Sequence, residues 1–164
     1  MKPLRAALLL FAAASAFADV NGTDRKLMVK LGQGDASEFE LANKVLPHAS
    51  SARVRDFANL MITDHRRAFE DLERIARSNG VTLTRAMDDE HKAFEATLAR
   101  RRAGAAYDRT YMDEMVKDHE KDTRDVEKAI RLIHDPALAG WARNELQIIQ
   151  KHLRLARMVR SKLR

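Results

Sequence analysis

The sequence contains no cysteine. Disulfide staples, thiolate zinc ribbons, thiol redox chemistry and cysteine nucleophiles are thereby excluded, and any metal must be held by His, Asp, Glu or Met. Proline and glycine are scarce, at three and six residues. With so few breakers there is no linker and no low-complexity tract, which points to one continuous domain. No apolar run reaches the roughly 20 residues that a membrane-spanning helix needs. What the chain has instead is 33% charged and 45% apolar residues. That is too apolar for disorder and too polar for a multi-span membrane protein.

The first segment is an address. Lys2 and Arg5 form a basic start, Ala6 to Ala14 an apolar core, and Ala16-Phe17-Ala18 a small-x-small site. Residues 1–18 therefore read as a secretory signal cleaved after Ala18, leaving one domain over residues 19–164 with no transmembrane segment. The expected compartment is the periplasm or another exported location, with outer-membrane association open. Lys2 and Arg5 also carry a third of the formal charge of +6. The remaining basic clusters, Arg100-Arg101-Arg102 and Arg160-Ser161-Lys162-Leu163-Arg164, are not interleaved with aromatics that could stack on bases. Nucleic acid is not an expected partner, whereas an anionic membrane surface or an envelope protein is compatible with the charge.

Almost every later segment repeats apolar residues at helical spacing. The spacing predicts a first helix from about Asp24 to Leu46, with Leu27, Leu31, Gly34, Glu38, Leu41 and Val45 on one stripe and Pro47 closing it. Asp35-x-x-Glu38 also reads as a capping box, which would move the start to Asp35. A second helix, capped by Ser50 or Ser51 and stopped by Asn79-Gly80, carries Val54, Ala58, Met61, His65, Ala68, Leu72 and Ile75. Thr84 is the expected start of a shorter third helix that includes His91 and ends near Gly104. A fourth runs from about Ala105 to Ile133 with Met112, Met115, His119 and Val126 inward, and Asp135-Pro136 opens a fifth. The fifth buries either Leu138, Ala142, Glu145, Ile149, His152, Ala156 and Val159 or a neighbouring phase through Leu146 and Leu153. Short connections make sequential helices antiparallel, so the expected fold is an all-α, up-and-down bundle of five helices with a four-helix core.

Two stretches resemble each other at a constant offset of 54 residues. Phe57, Met61, Ile62, Asp64, His65, Asp71, Leu72 and Glu73 answer to Tyr111, Met115, Val116, Asp118, His119, Asp125, Val126 and Glu127. Such a repeat suggests a pseudo-two-fold bundle in which His65 and His119 face one another. His91 and His152 also fall on apolar stripes, whereas His48 lies in a connection and His134 at a helix end. Imidazoles from several helices, with a carboxylate such as Glu38 or Glu145, could converge on a divalent ion. Met61 and Met115, each four residues before a histidine, would suit copper. The expected ligands are His65 and His119, with Glu38 and His152 as additions, and copper or zinc is favoured over iron. The competing account is a core in which each histidine merely packs and is satisfied by one hydrogen bond. Asp64 and Asp118 point about 100° away from the adjacent histidine on a helix, so they read as solvated surface or interhelix salt bridges, not as ligands.

The stretch Phe57-Ala58-Asn59-Leu60-Met61-Ile62-Thr63-Asp64-His65, the stretch Tyr107-Asp108-Arg109-Thr110-Tyr111-Met112 leading to Asp118-His119-Glu120, and the closing His152-Leu153 form a recognisable pattern. Together they resemble an exported bacterial family of unknown function, grouped with ferritin-like proteins and often labelled an outer-membrane protein. The likeness spans about Leu27 to Met158, and Glu38 matches a glutamate of the family's first helix. It implies a ferritin-like four-helix core, export and metal binding, but no activity. Two departures stand out. Gln147 stands where many members have a proline, so the last helix should run unbroken. The residues three before His65, His119 and His152 are Ile62, Val116 and Ile149, where di-iron proteins of the wider fold carry glutamate.

The sequence therefore supports two functional readings. One is an exported helical bundle that stores, buffers or senses a metal through interior histidines. The other is a non-catalytic envelope structural or interaction protein. The chain leans away from an enzyme, since no Ser-His-Asp spacing, phosphate loop or catalytic carboxylate pair stands out, and no organic cofactor is implied.

Overall fold

Asn21 starts the first helix, its side-chain oxygen accepting the Thr23 N–H at 2.8 Å. The computed structural model describes residues 20–163, and the leader read at residues 1–18 lies outside them. Five helices follow: α1 (Gly22–Val45), α2 (Ala52–Ser78), α3 (Asp89–Ala99), α4 (Ala105–Ile130) and α5 (Pro136–Lys162). α1 passes straight through Gly32 and Gly34, so Asp35-x-x-Glu38 is no capping box. Both acids lie mid-helix and buried. α3 begins five residues later than the Thr84 start expected from sequence. Asp88 is its N-cap, accepting the His91 N–H at 2.9 Å, and Asp88 is itself held by the Ser37 hydroxyl of α1. The segment before it stays non-helical, and Leu83 within it packs on α1 and α2 side chains.

Two buried aspartates tie the helix starts together. Ser51 caps α2 by position but makes no side-chain cap bond. Asp108 of α4 does that work, accepting the N–H groups of Ser50 and Ser51 at 3.0 and 2.7 Å. Asp24 of α1 does the same before α5, accepting from His134 and Asp135 N–H at 3.0 and 2.8 Å. Each carboxylate thus satisfies donors that a helix start would otherwise leave unpaired.

One apolar cluster joins Leu41 and Val45, Val54 to Met61, Tyr107 to Met115, and Ala156 with Val159. A second joins Met28, Leu72 and Ala76 with Leu138 to Ala142. The ends that meet in these clusters fix the directions. α1 and α2 form one antiparallel pair and α4 and α5 another, while α2 and α4 run parallel. The bundle closes where α2 packs on α5, with the Trp141 indole N–H donating to the Ala68 carbonyl at 3.0 Å. α1 and α4 touch only lightly, and α3 lies across that seam in contact with both. On α5 the buried phase is Leu138, Ala142, Glu145, Ile149, His152, Ala156 and Val159, and the helix is unbroken at Gln147. No helix among the described residues is long and apolar enough to cross a membrane.

Candidate metal centre

The same stripes that build the core place polar side chains halfway along it. Between the two apolar clusters, each helix contributes a buried group: Glu38 from α1, His65 from α2, His91 from α3, His119 from α4 and His152 from α5. His65, His119 and His152 form one group whose nitrogens lie within 4.8 Å of one another. Their ring centroids are 5.0 to 5.8 Å apart. Glu38 Oε1 lies 3.7 Å from His119 Nδ1. The four residues singled out from sequence are therefore neighbours, with the rings of the repeat-related pair meeting edge to face. Met61 and Met115 are fully buried in the adjoining apolar cluster.

Each of two histidines has one nitrogen held by a carboxylate. His65 Nδ1 sits 2.9 Å from Asp35 Oδ1, and His152 Nε2 sits 3.0 Å from Asp64 Oδ2. The remaining nitrogens, His65 Nε2 and His152 Nδ1, point at each other across 3.2 Å. Two imidazole nitrogens on one tetrahedral zinc, each about 2.05 Å from it, would stand about 3.3 Å apart. Carboxylates behind ligating histidines are the usual means of fixing ring tautomer and orientation. His119 is fully buried, and neither of its nitrogens has a hydrogen-bond partner.

Of the two alternatives read from sequence, Asp118 takes the interhelix salt bridge. It is 5% exposed, and it pairs across helices with His91 Nε2 at 3.1 Å. Asp64, more open, carries an interhelix bridge to Lys151 at 3.0 Å besides its bond to His152. The two members of the Asp-His repeat thus act alike. In each, the histidine points inward and the aspartate holds a second histidine, His152 of α5 for Asp64 and His91 of α3 for Asp118. Adjacent positions on a helix diverge by about 100°, which lets one dipeptide serve two neighbours.

Sequence reasoning also missed Asp35 and Asp122 and left Glu145 as an alternative to Glu38. Asp35, His65 and Glu145 form a second close group, and Glu38, His91 and Asp118 a third. These groups line a cavity of about 260 Å³ that opens between α1 and α4, with Lys30, Lys121, Asp122 and Asp125 toward its mouth. Glu145 lay on one of the two phases read for the last helix, whereas Asp35 fell beside the expected α1 stripe and drew notice only as the start of a capping box.

Burial governs the protonation states. It raises Asp35 and Glu145 well above the usual carboxylate range, and each lies near other acids. Burial, opposed by His91, takes Glu38 up to about 7, and burial with the nearby Asp118 charge does the same for Asp122. His119 is driven well below its ordinary value by burial and by the neighbouring His65 and His152. Burial, reinforced by His65, brings His152 down to about 4. His91 moves the other way: against the cost of burial, Asp118 and Glu38 push it up to about 12, and His91 in turn holds the buried Asp118 near 2. Inward-facing imidazoles kept neutral are the form that binds a cation.

The family model described as "Domain of unknown function (DUF4142)" matches residues 10–159. The chain belongs to this family. No curated protein and no solved structure matches it. In this DUF4142 chain, the chemistry is therefore carried by the residues themselves. Nine buried side-chain atoms of Asp35, Glu38, His91, Tyr111, His119 and Glu145 lack a hydrogen-bond partner, among the described residues. Each such atom costs about 1–3 kcal/mol if left bare, and a whole domain is stable by only about 5–15 kcal/mol. A water or cation held by these groups would lower that cost. Buried His/Asp/Glu groups that could hold a metal are present among the described residues.

Proposed function

We propose that this protein is an exported helical bundle that binds zinc or copper(II) through His65, His119 and His152, with Glu38 as the adjacent carboxylate. Its role is to store or buffer the ion, or to respond to metal stress, in the cell envelope. The observation that carries this reading is the 3.2 Å approach of His65 Nε2 to His152 Nδ1, with the far nitrogen of each ring held by Asp35 or Asp64. Three imidazole nitrogens and one carboxylate suit zinc or copper(II), while the Glu-x-x-His ligation of di-iron bundles has no counterpart at Ile62, Val116 or Ile149. The rival reading, in which the histidines only pack, leaves both His119 nitrogens and both Glu38 oxygens unpaired in the interior.

Elemental analysis tests the assignment on protein purified without a histidine tag and reconstituted with zinc or copper(II). The wild type should retain a tight equivalent that a His65→Ala/His119→Ala variant lacks. The same metal should raise the melting temperature of the wild type alone, because a ligand that binds only the native state stabilises it. Equal metal content in the two proteins would overturn the site.

A further inference from the structure

The histidine group leaves one part of the interior unused. Glu38, His91 and Asp118 offer one nitrogen and two carboxylate oxygens, all within 4.8 Å of one another and all buried. His91 is aimed from behind: its Nδ1 lies 2.9 Å from Asp88 Oδ1, and Asp88 accepts the Ser37 hydroxyl at 3.2 Å. That leaves His91 Nε2 facing Asp118 Oδ2 at 3.1 Å and Glu38 Oε1 at 3.9 Å. Neither Glu38 oxygen has a hydrogen-bond partner, although Glu38 is only 2% exposed. The three groups line the cavity that opens between α1 and α4.

We propose that Glu38, His91 and Asp118 form a second cation site, for a harder divalent ion such as manganese(II), beside the histidine site. An oxygen-dominated donor set with a single imidazole favours ions of that kind over copper, which prefers the nitrogen-rich group. The carboxylate–histidine arrangement at Asp88 and His91 repeats the one at Asp64 and His152. Glu38 borders both sites, but the inference rests on His91 and Asp118, which the zinc or copper reading does not use.

The test is a titration of the full chain with manganese(II), its histidine site already filled with zinc, followed by the electron paramagnetic resonance of the free ion. One manganese should bind per chain, and a His119→Leu variant should still bind it. His91→Gln and Asp118→Asn should each weaken it by at least about tenfold, with helicity checked by circular dichroism. The variants lie on different helices, so one that fails to fold leaves the other to decide. Absence of manganese binding to the wild type below millimolar concentrations, or binding unchanged in both variants, overturns the second site. Zinc binding that persists unchanged in His119→Leu, with manganese binding intact, would sink the histidine reading alone.

Discussion

His152 Nδ1 and His65 Nε2 meet at 3.2 Å with room for one hydrogen between them. Asp64, held below the ordinary carboxylate range by His152 and Lys151 against its partial burial, stays ionised and accepts from His152 Nε2–H. His152 Nδ1 is then a lone pair, so the shared hydrogen belongs to His65 Nε2. His65 Nδ1 faces Asp35 Oδ1 at 2.9 Å, and burial raises the Asp35 carboxyl well above its ordinary range. A metal ion must displace the hydrogen between the rings.

Metal binding should therefore release a proton. Calorimetry of zinc binding at pH 7 in buffers of different ionisation enthalpy should report release of about one to two protons per ion at the histidine site, one from between the rings and a further fraction from Glu38. A buffer-independent enthalpy would contradict this arrangement.

Asp64 should matter for affinity without being a ligand. Asp64→Asn leaves His152 in place but weakens the carboxylate behind it, and zinc affinity should fall by about 10–100-fold at unchanged stoichiometry. Competition with a chromophoric chelator measures both quantities.

His119 should be costly in the metal-free protein. Its ring is fully buried with neither nitrogen paired, and leucine of similar size carries no such need. His119→Leu should raise stability in chelator by about 1–3 kcal/mol, measured by urea unfolding, while abolishing the stabilisation by zinc.

His152 sets an acid-side window. Its folded value of about 4 lies below the ordinary 6.5, so between these values the unfolded chain takes up a proton that the folded chain refuses. Stability from this group is complete above about pH 6.5 and is lost as pH falls toward 4. In chelator, moving from pH 7 to 4.5 should cost the wild type on the order of 2 kcal/mol more than a His152→Gln variant. Glu38 and Asp122, both raised to about 7, work in the opposite direction, but they are common to both proteins. Equal losses would show that His152 is not held neutral.

Much of the architecture was legible because apolar periodicity dominates four long helices. The repeat identified His65 and His119 as equivalents, and helical phase brought Glu38 and His152 to them. Local pattern misled at Asp35, which reads as a capping box after two glycines, and left Asp118 open between surface and an interhelix salt bridge. Their burial depends on α3 crossing the α1–α4 seam and on α1 continuing past Gly32 and Gly34, which are outcomes of packing. His91 was weighed lightly for the same reason. Its helix is short, and its partners lie on α1 and α4, remote in sequence.

One candidate ligand on each of five helices also orders events in time. Glu38 and His65 lie in the first half of the chain and His152 close to its end, so a chain that stops before α5 lacks part of the set. At the proposed histidine site the ligands are therefore complete only once α5 has docked. A metal held there would act as a certificate of completeness for the four-helix core.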